Sequence, residues 1–151
     1  MAHIRLTLDS DLGDVALLAV SIHAIAAHVG FNDIRASEIE LCVVEAVTNA
    51  IRHAYHCECG HVVDIEVDTA VDLLSVKICD DGTPMAPDKV HRLIYGEEIA
   101  DPGPENIASL AEHGRGLQII HDLMDEVAYV REQEQNCLLL ISHLSDAEQS
   151  R

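Results

Sequence analysis

The sequence predicts a two-layer α/β (α+β) sandwich, a mainly antiparallel sheet with its helices on one face. Three observations lead there. The first third carries two long segments with apolar residues at helical spacing, and the middle third switches to a period of two. The last third offers one more helix followed by a pair of strands. The order is strand, helix, helix, strand, strand, irregular segment, helix, strand, strand.

Residues 3–8 alternate through Ile4, Leu6 and Leu8, the pattern of a short strand. Asp9 or Ser10 caps the next helix, "LGDVALLAVSIHAIAAHVG", which is apolar nearly all round and stops at Gly30. "ASEIELCVVEAVTNAIRHAY" is a second long helix, with Ser37 and Glu40 in capping-box spacing at its start. "HVVDIEVDTA" and "DLLSVKICD" are neighbouring antiparallel strands turned near residues 70–72. Between 81 and 114 the pattern breaks at "DGTPMAP" and "ADPGPENIA", around a short helix at 89–95. An irregular connection of that length is expected to be a functional loop such as a lid, or else disordered. "GRGLQIIHDLMDEV" is a helix that follows a glycine turn, and "EVAYVREQEQNCLLLISHL" is a hairpin turned near 132–136.

The 151 residues are the size of one domain, residues 1–151, with a candidate lid at about 83–113. The 27 acidic against 9 basic residues give a formal charge of −18, which argues against generic binding to DNA or to an anionic membrane. An anionic nucleotide remains compatible where local groups or a divalent cation reverse that field. A basic protein surface is a natural partner. The start "MAHIRLTLDS" lacks signal-peptide character and no apolar run approaches the roughly 20 residues of a bilayer span, so a cytoplasmic location is expected. The five cysteines, Cys42, Cys57, Cys59, Cys79 and Cys137, are expected to be reduced and largely buried thiols. One Phe, three Tyr and no Trp leave little for stacking on nucleic-acid bases.

On the wheel of the second helix, Ile39, Val43, Ala46, Val47, Ala50 and Ala54 share a core face. Glu38, Glu45, Asn49 and Arg52 gather opposite, with His53 at the border. Alone this reads as an ordinary solvated face, apart from Asn49. A mid-helix Asn competes for backbone hydrogen bonds, so something besides helix stability holds it there. "CDDGTP" puts Asp80 at a strand end beside Gly82, where a carboxylate can accept from an exocyclic amine. "HGRGL" puts Gly114 and Gly116 at a helix start, where free N–H groups favour phosphate.

Taken in order, "EAVTNAIRHAY", "CDDGTP", the long lid and "HGRGL" resemble the N, G1 and G2 boxes of the GHKL (Bergerat-fold) ATPases, over nearly the whole chain. Within that superfamily the chain is most similar to the anti-sigma-factor serine/threonine kinases, through "EAVTNAIRHAY", its length and "LMDEV" after the glycine box. The resemblance implies ATP and Mg²⁺ as cofactors. It implies Glu45 as the catalytic carboxylate, Asn49 as the Mg²⁺ ligand, and Asp80 and Gly82 at the base. Gly114, Gly116 and the following Leu117 fall in the phosphate-binding turn, and Arg52 and His53 border the phosphates. Arg115 could add charge there by its position between the two glycines. The implied partners are an anti-anti-sigma (STAS) protein carrying the acceptor Ser or Thr, a sigma factor, and a second copy in a homodimer, with neither nucleic acid nor membrane contacted directly. The chain departs from the family pattern at Glu112 and His113 before the glycine box, and at Asn136 or Cys137 where a Thr is common.

Two other readings compete. The same fold could sequester a partner without transferring phosphate, but a pure binder has no need of a carboxylate one turn before Asn49. "RHAYHCECGH" is rich in imidazole and thiol, yet lacks the paired spacings of a structural zinc site and reads better as a polar loop.

Overall fold

The computed structural model describes residues 1–96 and 115–145. Five strands form one sheet in the order β1-β2-β3-β5-β4, with every neighbouring pair antiparallel. They are β1 (Ala2–Asp9), β2 (Val62–Thr69), β3 (Leu73–Asp80), β4 (Glu126–Glu132) and β5 (Gln135–His143). Four helices complete the described fold: α1 (Val15–Val29), α2 (Asp33–Asn49), α3 (Pro87–Tyr95) and α4 (Arg115–Leu123). The result is the expected α+β sandwich.

Strand alternation creates the core. Val63, Ile65 and Val67 on β2, Leu74, Val76 and Ile78 on β3, and Leu138 and Leu140 on β5 turn to one face. Leu18 and Ile22 of α1, Ile39, Val43 and Val47 of α2, and Ile120 of α4 close against them. Each such side chain contributes roughly 1.5–3 kcal/mol when fully buried. All six residues assigned to the core face of the second helix are buried. The hairpin joining β4 to β5 turns on Gln133 and Glu134, with φ of 48° and 67°. Two successive left-handed residues match the right-handed strand twist, although neither is Gly or Asn.

Several expectations need correction. The second helix begins four residues before Ser37, because the Asn32 side chain accepts from the Arg35 N–H at 3.0 Å and caps it there. Its α-helical part ends at Asn49, and Ala50–Ala54 form a π turn in which the Tyr55 N–H donates to Ala50 O at 3.0 Å. At the first helix, Asp11 rather than Asp9 or Ser10 caps a short 3₁₀ turn, Leu12–Asp14. The apolar run is also longer than expected. Residues 12–29 have a mean hydropathy of 1.7, long and apolar enough by composition alone to cross a membrane. Here Val15, Leu18, Ile22 and Ala26 of that run pack into the protein core.

The cysteines depart furthest. Cys79 and Cys137 face each other in the β3–β5 register and are joined by a disulfide. Cys42 is a buried thiol, its pKa pushed up to about 12, chiefly by burial. Cys57 and Cys59 are free but exposed. Spacing along the chain could not reveal the pair, since 58 residues separate its members. Of the candidate lid, residues 83–96 carry α3, and the remainder lies outside the described residues.

Candidate nucleotide site

Glu45 and Asn49 stand one turn apart on α2, and the first turn of α4 lies across them. This explains why they are half-buried rather than solvated. Gly116 makes the approach possible: a Cβ there would collide with the Glu45 carboxylate and stand 3.7 Å from Asn49 Nδ2. The π turn then widens the helix directly after Asn49 and carries Arg52 and His53. Such a bulge shifts side chains that a regular helix would place elsewhere.

The other end of the site is built where β3 and β5 lie side by side. Asp80, the last residue of β3, accepts at Oδ1 from the Gly82 N–H (2.9 Å) and from Asn136 Nδ2 (2.8 Å). Asn136 also donates to Gly82 O at 3.0 Å, which closes a small network over the turn. Burial raises the Asp80 pKa, and neighbouring Asp81 adds to this, while the bonds from Asn136 and Gly82 oppose it. Ile78 and Leu138 supply apolar walls, and the Tyr129 hydroxyl accepts from the Met85 N–H at 2.9 Å. Burial raises the Tyr129 pKa as well, so the phenol stays protonated.

These two ends enclose one cavity of about 330 Å³. Glu45, Asn49, Arg52, His53, Asp80, Gly116 and Leu117 all line it. Gly82 does not. Its lack of a side chain is required by Ala54, whose carbonyl carbon would lie 2.7 Å from a Cβ at that position. The backbone there is locked to the π turn by the Thr83 N–H donating to Ala54 O at 2.9 Å. Arg115 is exposed and outside the lining, and Gly114 lies outside the described residues.

Sequence reasoning missed Lys89 and Tyr129 as lining residues. Lys89 carried a readable signal. It is one of only two lysines in the chain and sits in the first turn of α3, at the start of the candidate lid. Lys89 and Arg52 supply positive charge within a strongly acidic protein, which favours an anionic ligand at this place.

The Asn49 carboxamide has a buried Nδ2 without a hydrogen-bond partner. Turning the amide over costs no hydrogen bond at that atom and brings Oδ1 there instead. An amide oxygen is a hard donor that fits Mg²⁺. Among the described residues, no group of three or more His, Cys, Asp or Glu is placed to hold a metal ion, in the loop at 53–61 or elsewhere.

The class of the domain is α+β, an antiparallel sheet backed by helices with a polar cavity between a helix wall and a strand-end Asp. The model of the histidine kinase-like ATPase domain matches residues 8–142, and the chain belongs to that family. It is 25% identical over 125 residues to a serine-protein kinase RsbW of Bacillus cereus, covering 83% of this chain and 75% of the relative. Against the serine-protein kinase RsbW of Bacillus subtilis (strain 168) it is 28% identical over 117 residues, covering 75% and 68%. The fold is similar to the crystal structure of the RsbU and RsbW domains of Rv1364c from Mycobacterium tuberculosis, with a TM-score of 0.63 at 14% identity. That match spans 95% of this chain and 33% of the other.

Proposed function

We propose that this protein is an anti-sigma factor with serine/threonine kinase activity, which transfers the ATP γ-phosphate to a Ser or Thr of a STAS-domain antagonist. The named relatives and the histidine kinase-like ATPase domain support a protein kinase of the GHKL anti-sigma class. The observation that carries the reading is the juxtaposition of Glu45 and Asn49 beneath Gly116, in the same cavity as Asp80.

In this reading residues 1–151 form one ATP-binding domain that works in the cytoplasm as a homodimer, with a lid at about 83–113. Asp80 accepts from the adenine amine, with Gly82 shaping that end of the site. Asn49 holds Mg²⁺, which neutralises phosphate charge when bound. The Gly114 to Leu117 turn offers N–H groups to the phosphates, with Arg52, His53 and Arg115 nearby. Glu45 orients the acceptor hydroxyl and takes its proton as the new P–O bond forms in line with the departing ADP. Phosphorylation adds charge to the antagonist and ends its binding, leaving the kinase free to hold its sigma factor.

The test is transfer of labelled phosphate from Mg-ATP to STAS proteins of the same genome. Glu45→Gln should lose transfer by roughly 10²–10⁴-fold and keep nucleotide binding, whereas Asn49→Ala should lose both. Tight binding of a STAS protein that wild type never phosphorylates would favour a sequestering module without catalysis.

A further inference from the structure

The disulfide and the base-recognition pair occupy adjacent rungs of one ladder. Cys79 faces Cys137, and the next pair in the register is Asp80 with Asn136. Side chains alternate across a strand, so the two pairs point to opposite faces of the sheet while sharing the same two backbones. Asp80 and Asn136 point into the cavity. Beyond them β3 ends, and the hairpin turn at Gln133 and Glu134 follows within three residues of Asn136. These are the last rungs of the β3–β5 ladder, where fraying begins and where a cross-link most restricts motion.

Cys79 and Cys137 stand outside the hydrophobic cluster that the helices close, yet both are nearly buried, at 7% and 2% exposure. In a reducing compartment a disulfide is usually transient or redox-sensing rather than structural. We propose that Cys79 and Cys137 form a reversible thiol–disulfide site whose state sets the geometry of the Asp80 end of the cavity, and through it the affinity for nucleotide. The inference rests on the nucleotide reading of that cavity.

The chemistry is balanced by small thiols. Two equivalents of a thiol reductant supply two electrons and two protons, giving two cysteine thiols and one small-molecule disulfide. A low-molecular-weight disulfide reverses the reaction. With the bond closed, β3 and β5 are held together next to Asp80, and Asn136 stays in reach of both Asp80 Oδ1 and Gly82 O. With it open, the rung can part and the nucleotide must order it again on binding. Coupling between two sites is reciprocal. Bound nucleotide should therefore hinder reduction of the bond by the same factor by which reduction weakens binding.

The protein carrying Cys57→Ser and Cys59→Ser isolates the pair, since both removed thiols are free and exposed. Thiol titration of the denatured protein, after the reagent is removed, should count one free thiol following oxidised glutathione and three following dithiothreitol, from Cys42, Cys79 and Cys137. Calorimetric titration with Mg-ATP should give affinity weaker by roughly fivefold or more in the reduced form, the low end of ordinary coupling between sites. Amide exchange at Gly82 should be faster when reduced. Cys79→Ala/Cys137→Ala should bind as the reduced form does, with or without reductant. Equal affinity in two forms whose thiol counts differ overturns the proposal. If neither form binds ATP while Gly82 exchange still depends on the bond, the nucleotide reading fails and the link from bond to loop stands. Equal exchange in that case overturns the link too.

Discussion

Asn136 and Asp80 face each other across β5 and β3, and Asn136 Nδ2 donates to Asp80 Oδ1 at 2.8 Å while only 1% of Asn136 is exposed. The second bond, to Gly82 O, makes this buried carboxamide the strut that holds the carboxylate and the following turn in one arrangement. Asn136→Leu keeps the volume and removes both donors. A hydrogen bond to a charged group is worth roughly 1.5–3 kcal/mol, so nucleotide affinity should fall about tenfold or more if that much positioning is lost. Fluorescence titration with a nucleotide analogue measures it. Unchanged affinity would show that Asp80 needs no strut.

The raised pKa of Asp80 has a pH signature. Its proton returns at a pH above the ordinary carboxylate value of 3.8, and a protonated Asp80 is a poorer acceptor. Affinity for adenosine nucleotides should therefore fall on acidification sooner than an ordinary Asp would cause. The folded state binds that proton more tightly than the unfolded state does, so protonating Asp80 itself favours folding. Loss of binding should thus precede loss of structure. Asp80→Asn should bind weakly and lose that part of the pH dependence. A wild-type profile that follows the variant's would contradict the assignment of Asp80.

Gly82 and Gly116 separate fold from function. At Gly82 a Cβ meets the backbone of Ala54, which cannot move without the π turn. Gly82→Ala should lower stability by roughly 1–3 kcal/mol, the range for steric strain in a packed backbone. At Gly116 the obstruction is the tip of the Glu45 side chain, which can rotate away. Gly116→Ala should then unfold at nearly the wild-type temperature. Displacing a reacting group by about 1 Å can cost 10²-fold in rate, so its phosphotransfer should fall by that order. Paired thermal melts and transfer assays on both variants check the contrast.

The sequence made the fold legible because each element has a clean period: 2 in β2, β3 and β5, and 3.6 in the core face of α2. Helical spacing also gathers Glu45, Asn49 and Arg52 with His53 at their border, but it gathers Glu38 as well, which pairs with Arg35 and does not line the cavity. What stayed hidden depends on other segments. The burial of Glu45 comes from α4, the glycine requirement at position 82 comes from Ala54, and the disulfide comes from the β3–β5 register. The π turn was invisible because nothing in "AIRHA" breaks helical periodicity. Lys89 and Tyr129 belong to elements whose placement over the cavity is decided by tertiary packing.

Arg35 ties the far end of the same helix to the sheet, away from the cavity. Its guanidinium donates to Glu38 Oε2 at 3.1 Å, to Asp125 Oδ2 at 2.9 Å, to Ser142 Oγ at 2.6 Å and to Leu123 O. The carbonyl of Leu123 is one of the orphan acceptors at the end of α4, so the arginine serves as that helix's cap. Asp125 in turn accepts from the His143 N–H at 2.8 Å. Burial alone would raise the Asp125 pKa, but the His143 N–H, the Arg35 charge and the Ser142 hydroxyl outweigh it and hold it below 3.8. Arg35→Ala should cost roughly 2–3 kcal/mol, as several charged hydrogen bonds go and only the more exposed acceptors regain water. The pH dependence has the opposite sign to that of Asp80. A depressed carboxylate contributes stability that is fully present above the unfolded pKa and disappears as pH falls through the folded one. Wild type should therefore lose part of its denaturation midpoint on acidification below the ordinary carboxylate range, and Arg35→Ala should lose less over the same interval. Because 42% of the Asp125 side chain is exposed, added salt should weaken the difference. Denaturant melts at a series of pH values would disprove the network's role if the two proteins kept a constant gap throughout.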